Sequence, residues 1–163
     1  MLNLLVPDAV FDSIGSITPD FFKSRSVKAV FLDIDNTLVP PHTPAPDEAA
    51  ERFICSLRDS GITVCLVSNN KKERVDRFNT LSLLSVHRAA KPLTFSYKRI
   101  IKKLGIKKSE AAAVGDQIFS DISGAKAAGI MAVYVKPIKI GGEGAFVHLK
   151  RKLEKPILKR LGI

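Results

Sequence analysis

The stretch KAVFLDIDNTLV, from Lys28 to Val39, limits what this chain can fold into more than any other segment. Its first half is a short apolar run, the pattern of a strand buried on both faces inside a parallel sheet. It then ends on Asp33, Asp35, Asn36 and Thr37. Two carboxylates two residues apart on an extended backbone point to the same side. Such a pair repels, so either one takes a proton or a cation sits between them. At the carboxyl end of a parallel strand, the pair faces the crevice where open α/β sheets bind ligands. The competing account is an Asx-type turn closing a core strand. The stretch alone leaves both open.

The rest of the chain narrows the choice. At 163 residues and 45% hydrophobic content, it fits one domain with a proper core. The formal charge of +10 predicts attraction to an anionic partner: a phosphorylated substrate, nucleic acid or an anionic membrane surface. Cys55 and Cys65 make no metal or redox spacing, which argues against a disulfide framework. The start, MLNLLVPD, lacks a basic n-region, a long apolar core and a cleavage site, and no stretch reaches spanning length. The expected location is therefore cytoplasmic. Residues 1–26 read as a lead-in, with Phe11, Ile14, Ile17, Phe21 and Phe22 packing a short helix and turn against the first strand.

Three further strand-to-loop junctions follow. After four prolines between Pro40 and Pro46, Asp47 begins a helix whose inner stripe is Ala50, Phe53, Ile54 and Leu57. His42 in that stiff connection reads as a solvated loop residue rather than an acid/base group. The run Gly61–Val67 is a second buried strand that leads into Ser68-Asn69-Asn70-Lys71-Lys72. Ser68 and Asn69 there suit a helix cap, or an anion site built from a hydroxyl and free backbone N–H groups. A shorter third strand, Leu84–Ala90, holds His87 in its middle and meets Lys91-Pro92. Proline at a helix's first position leaves Lys91 just outside the first turn. The next helix, Phe95 to Leu104, buries Tyr97, Ile100, Ile101 and Leu104 and shows a basic outer face. Last, Glu110–Asp121 runs through small residues to Gly115, which permits a tight turn, and presents Asp116 and Asp121.

Together these junctions resemble the four signatures of the haloacid dehalogenase-like (HAD) phosphatases. Asp33-Ile34-Asp35-Asn36-Thr37 resembles the first, Ser68 the second, Lys91 (as Lys-Pro) the third, and Gly115-Asp116-Gln117 through Ser120-Asp121 the fourth. Asn36 stands where glycine is common in the wider family. The resemblance covers residues 28 to 135 and implies an α/β, three-layer Rossmann-like fold with a central parallel sheet. Neither insertion point for a cap domain has room for one. Among capless members, of subclass IIIA, the chain looks closest to the YqeG-like family, which is similar to phosphatidylglycerophosphate phosphatases.

The resemblance also implies roles. Asp33 would be nucleophile and metal ligand, forming an aspartyl-phosphate. Asp35 would be general acid, then base, with its backbone carbonyl on the metal. Asp116 would bind the metal, and Asp121 would support the metal site or Lys91. Ser68, Asn69, Lys91 and Thr37 would hold the phosphoryl group. Four converging carboxylates need a cation, and an all-oxygen site suits Mg²⁺.

The expected organisation is a lead-in over 1–26, a catalytic domain over 27–140 and a basic amphipathic tail over 141–163. In the tail, Phe146, Leu149 and Leu153 form an apolar stripe among lysines and arginines, and Pro156 breaks or kinks the helix. The tail reads equally as an anchor at the inner membrane face or as a terminal helix packing its stripe on the domain. The expected activity is a Mg²⁺-dependent phosphomonoesterase for a large or lipid-linked phosphate such as phosphatidylglycerophosphate. The alternatives are a small soluble phosphate with the site closed by oligomerisation, or a nucleic-acid or ribosome-associated binding role. No RNA-binding motif favours the last.

Overall fold

A computed structural model describes residues 2–138 and 144–163, without the side chains of Leu2, Asn3 and Phe146. The expected boundary between residues 140 and 141, and Phe146 as part of the tail stripe, lie outside the described residues.

The regular elements in chain order are β1 (Ala9–Phe11), α1 (Pro19–Lys23), β2 (Ala29–Leu32), α2 (Glu48–Asp59), β3 (Thr63–Val67) and α3 (Lys72–Phe78). They continue as β4 (Leu84–Val86), α4 (Phe95–Leu104), β5 (Ala111–Gly115), α5 (Ser123–Ala128), β6 (Met131–Val135) and α6 (Ala145–Leu161). The strands form one parallel sheet in the order β1-β6-β5-β2-β3-β4. The chain winds outward from β2 through β3 to β4, then returns to β5 on the other side and winds the opposite way. The reversal falls between β2 and β5, whose carboxyl ends carry Asp33 and Asp116. This is the switch point at which such sheets open a ligand crevice.

Alternation along the central strands builds two separate cores. Val30, Leu32, Val64, Leu66 and Val114 pack on one face against Phe53, Ile54 and Leu57 of α2. Ala29, Phe31, Cys65, Val67 and Ala113 pack on the other against Tyr97, Ile100 and Ile101 of α4. The result is the three-layer α/β arrangement expected from the sequence. Asp47 caps α2 by accepting from the Ala50 N–H at 2.8 Å, and all four residues of its expected inner stripe are buried.

Several local expectations need correction. The lead-in supplies an edge strand, β1, that pairs with β6; three residues are too few to show a periodic signal. The third strand ends at Val86, so His87 lies beyond it, in a segment where Arg88 and Ala90 adopt φ of +44° and +53°. The helix after Lys91-Pro92 starts only at Phe95, so Pro92 is not its first residue. Nor do Ser68 and Asn69 cap α3, whose first turn follows Lys71 without a side-chain cap. Of the break or kink expected at Pro156, the break does not occur: α6 runs through it from Ala145 to Leu161.

The tail differs most. Leu149 and Leu153 are 54% and 57% exposed, whereas Arg151 and Glu154 are buried, at 7% and 1%. Ile157 and Leu158 supply the apolar contact with the core. The helix therefore packs on the domain, but through a face other than the expected stripe. Among the described residues, no helix is long and apolar enough to cross a membrane.

Candidate active site

Every expected site residue lies at the carboxyl end of the sheet. The first turn after β2 is tight: Leu38 N–H and Val39 N–H both reach the Ile34 carbonyl, at 3.0 and 3.3 Å. Asn36 sits inside this turn at φ +65°, a left-handed conformation that asparagine and glycine tolerate best. That explains in physical terms why an asparagine can stand where glycine is common.

Asp33, Asp116 and Asp121 come together, each offering a carboxylate oxygen within 4.8 Å of the others. Lys91 lies between two of them. Its Nζ is 2.6 Å from Asp33 Oδ1 and 2.6 Å from Asp121 Oδ1, and its side chain is 2% exposed. Asn69 holds Lys91 in place through the backbone: its Oδ1 accepts from the Lys91 N–H at 2.7 Å, and its Nδ2 donates to the Lys91 carbonyl at 3.1 Å. The second and third signatures are thus joined directly. Asn69 stands in the cleft wall, but its side chain is spent on positioning the lysine.

Ser68 is buried and lines the cleft, accepting from the Asn70 N–H at 3.2 Å. Thr37, expected on the phosphoryl group, instead donates to Asp116 Oδ1 at 3.2 Å. Its hydroxyl is buried, and a carboxylate within reach satisfies it.

Asp35 stands apart from the acidic trio. Its carboxylate accepts from Arg74 Nη2 at 2.8 Å and from the Asn70 side-chain amide. It still lines the same cleft, a volume of about 860 Å³ whose rim includes His42, Lys71, Arg77 and Lys150.

Burial sets the electrostatics. Desolvation raises the Asp33 carboxyl to about 7; Lys91 pulls it down and Asp121 pushes it up. The same cause raises Asp116 to about 8, with Arg151 opposing and Asp121 reinforcing. For Lys91, burial works against the charged form, but Asp121 and Asp33 outweigh it and hold the ammonium above its ordinary value. Three buried carboxylates thus share two buried cations, Lys91 and Arg151. This oxygen-only, net-negative cluster fits a hard divalent cation, which would favour the ionised form of all three acids.

Gly115 permits this geometry. A Cβ added there would lie 2.4 Å from Asp121 Cβ and Cγ. Gly115→Ala is expected to cost about 1–3 kcal/mol through overpacking and to move Asp121 off Lys91. Thermal melting and a Mg²⁺ titration check this; a variant matching wild type in both would show that the contact yields freely.

Four residues that hold this constellation were not singled out from the sequence. Asn70 and Arg74 engage Asp35. Arg151 of α6 donates from Nη1 to the Asp116 carbonyl at 2.9 Å and pairs through Nη2 with Asp116 Oδ2. Glu154 accepts from the Phe119 N–H at 2.8 Å, tying α6 to the π-helical turn Ile118–Ile122 that carries Asp121. Arg74 lies one turn into a helix next to the second signature, so spacing offered some signal for it. For Arg151 and Glu154, inside a lysine-rich tail, there was none.

The chain is similar to several known proteins. The model of the haloacid dehalogenase-like hydrolases matches residues 43–129. The probable phosphatase YqeG of Bacillus subtilis (strain 168) is 31% identical over 160 residues, covering 98% of this chain and 92% of its own. Among solved structures, the 3-deoxy-D-manno-octulosonate 8-phosphate phosphatase of Moraxella catarrhalis, in complex with magnesium, phosphate and KDO, superposes with a TM-score of 0.56. It is 21% identical and covers 85% of this chain and 92% of that one. The cobalt-bound deoxy-D-mannose-octulosonate 8-phosphate phosphatase of Haemophilus influenzae gives 0.56 at 19% identity, covering 82% and 90%. These two structures share the fold.

Proposed function

The chain belongs to the haloacid dehalogenase-like hydrolase family, and from that premise we propose that it is a Mg²⁺-dependent phosphomonoesterase working through an aspartyl-phosphate on a large or lipid-linked substrate. One observation carries the chemistry. Asp33 stands at the floor of an open cleft, 2.6 Å from a lysine that a second carboxylate, Asp121, also holds.

In this reading Asp33 attacks phosphorus and the ester bond breaks. Asp35 gives its proton to the leaving oxygen, then takes one from the water that hydrolyses the aspartyl-phosphate. Such acid/base help is worth about 10²–10⁴-fold in rate. Lys91, Ser68 and the backbone N–H groups of the Asn69 turn hold the phosphoryl oxygens, where charge spreads in the transition state. Arg74 and Asn70 keep Asp35 aimed into the cleft. A bound Mg²⁺, held by Asp33, Asp116 and the Asp35 carbonyl, would neutralise the charge on the transferring group. Asp121 acts through Lys91, and Thr37 through Asp116.

Two features support a bulky substrate. The segment between β2 and the capped start of α2, residues 33–47, is taken up by the Asp33–Val39 turn and the Pro-rich connection, with no helix or further strand of the sheet, and four residues separate β4 from Lys91, so neither place holds a cap. The cleft is therefore open. Beside it, α6 turns Leu149 and Leu153 outward among Lys152, Lys155, Lys159 and Arg160, all exposed. Outward leucines flanked by cations suit an anionic bilayer surface, each cation contributing about 1 kcal/mol near the headgroups.

The test is phosphate release, with Mg²⁺ or chelator, from para-nitrophenyl phosphate, small sugar phosphates and phosphatidylglycerophosphate vesicles. We expect metal-dependent turnover with the highest kcat/KM on vesicles. Replacing Leu149 and Leu153 together by serine should lower vesicle co-sedimentation and vesicle turnover while sparing para-nitrophenyl phosphate. A preference for sugar phosphates would sink the lipid reading, and no release from any of them would sink the enzyme.

A further inference from the structure

Among the described residues, Arg151 stands beside the carboxylates of Asp116 and Glu154. Its guanidinium occupies Asp116, through the carbonyl and Oδ2. Its Nη1 is also 3.9 Å from Glu154 Oε2, three residues further along the same helix. Glu154 is held still by its other oxygen, which accepts from the Phe119 N–H. Its Oε2 is buried and makes no hydrogen bond. A buried carboxylate oxygen left without a hydrogen bond is costly, and one that faces a guanidinium just out of reach is a second seat for it.

The seat now taken belongs to a residue that would hold the metal. A guanidinium and a divalent cation on one buried carboxylate repel each other strongly at low dielectric. Neither can leave a partner bare in the interior without penalty. Glu154 removes that penalty, because a shift of roughly 1 Å brings the guanidinium from ion-pair distance to a charge-assisted hydrogen bond.

We infer that Arg151 is a two-position counter-ion: it neutralises Asp116 while no cation is bound, and passes to Glu154 when a divalent cation takes Asp116. The inference rests on reading Asp33, Asp116 and Asp121 as the metal seat, and concerns how that seat is loaded. It makes the C-terminal helix a determinant of metal affinity, with Arg151 opposing the cation and Glu154 favouring it. Both act as positioning residues.

Calorimetric Mg²⁺ titration of the full chain and three variants tests this without reference to turnover. Arg151→Gln should bind Mg²⁺ about tenfold more tightly than wild type, because a competing charge is gone. Glu154→Gln keeps an acceptor for the Phe119 N–H but offers a weaker second seat, so it should bind several-fold more weakly. In the double variant, Glu154→Gln should have no further effect, since there is no guanidinium left to move. In the wild type, the side-chain N–H resonances of Arg151 should shift in step with Mg²⁺ saturation, a readout that needs no variant to fold.

Arg151→Gln binding Mg²⁺ as wild type or more weakly overturns the inference, as does an equal Glu154→Gln effect in both backgrounds or an unmoved Arg151 resonance. Mg²⁺ binding that ignores both residues overturns this inference alone. Absence of Mg²⁺ binding in every chain overturns the metal seat with it.

Discussion

Replacing Asp33 by asparagine is expected to abolish phosphate release while leaving the protein folded. The amide cannot form the acyl-phosphate bond, so the loss should be on the order of 10⁴-fold or more, as when a nucleophile is deleted from a site whose groups act together. The fold should tolerate the change. Lys91 keeps Asp121 at 2.6 Å, and the asparagine oxygen still accepts from the ammonium. The desolvation that lifts the Asp33 carboxyl to about 7 disappears with the charge. Melting within a few degrees of wild type, beside absent turnover, is the outcome to look for. Retained activity would remove Asp33 from the chemistry.

Lys91→Met is expected to damage both activity and stability. Lys91 is the buried cation between Asp33 and Asp121, and its removal leaves two buried acids without a counter-charge. Losing one side of a buried ionic cluster typically costs about 3–5 kcal/mol. The sign with pH follows from linkage. A carboxyl whose folded-state value lies above its unfolded 3.8 makes the folded state bind more protons between the two values, so stability falls as pH rises from 3.8 to about 7 and then levels off. Without the ammonium, which pulls Asp33 down, that fall should continue further into alkaline pH. Lys91→Met should therefore approach wild-type melting near pH 5 and lag most at pH 8, and Mg²⁺ should recover part of the gap. A deficit independent of pH would point to lost packing rather than to exposed charge conflict.

Much of the site was legible in the sequence because its chemistry is local. A parallel strand buried on both faces leaves an unbroken apolar run, and the residue after it is where a ligand can be met. Asp33, Ser68 and Asp116 each follow such a run, whereas four residues separate Lys91 from the half-buried edge strand β4; Gly115 marks the close approach that Asp121 requires. What each side chain touches was less legible. Ser68 and Asn69 suited a helix cap equally well, and only the neighbouring loop, with its Lys91 backbone, decided that Asn69 would bind there. Thr37 lies beside the two acids in sequence, yet the carboxylate that satisfies it comes from β5.

The tail shows most clearly where local reasoning stops. Amphipathic spacing turns leucines inward when the surface they meet is apolar. Here the surface includes the buried Asp116, whose charge needs a partner more than the helix needs to hide Leu149 and Leu153. Arg151 and Glu154 are turned inward instead, and Ile157 and Leu158 complete the contact. The succession of strands along the chain from β2 to β6, and the acids that follow β2 and β5, were legible in the sequence because each depends on neighbours a few residues away. Which helix face docks, which acid each cation serves and where the edge strand pairs were decided only in three dimensions. Those outcomes depend on charges and hydrogen-bonding edges that distant segments bring together.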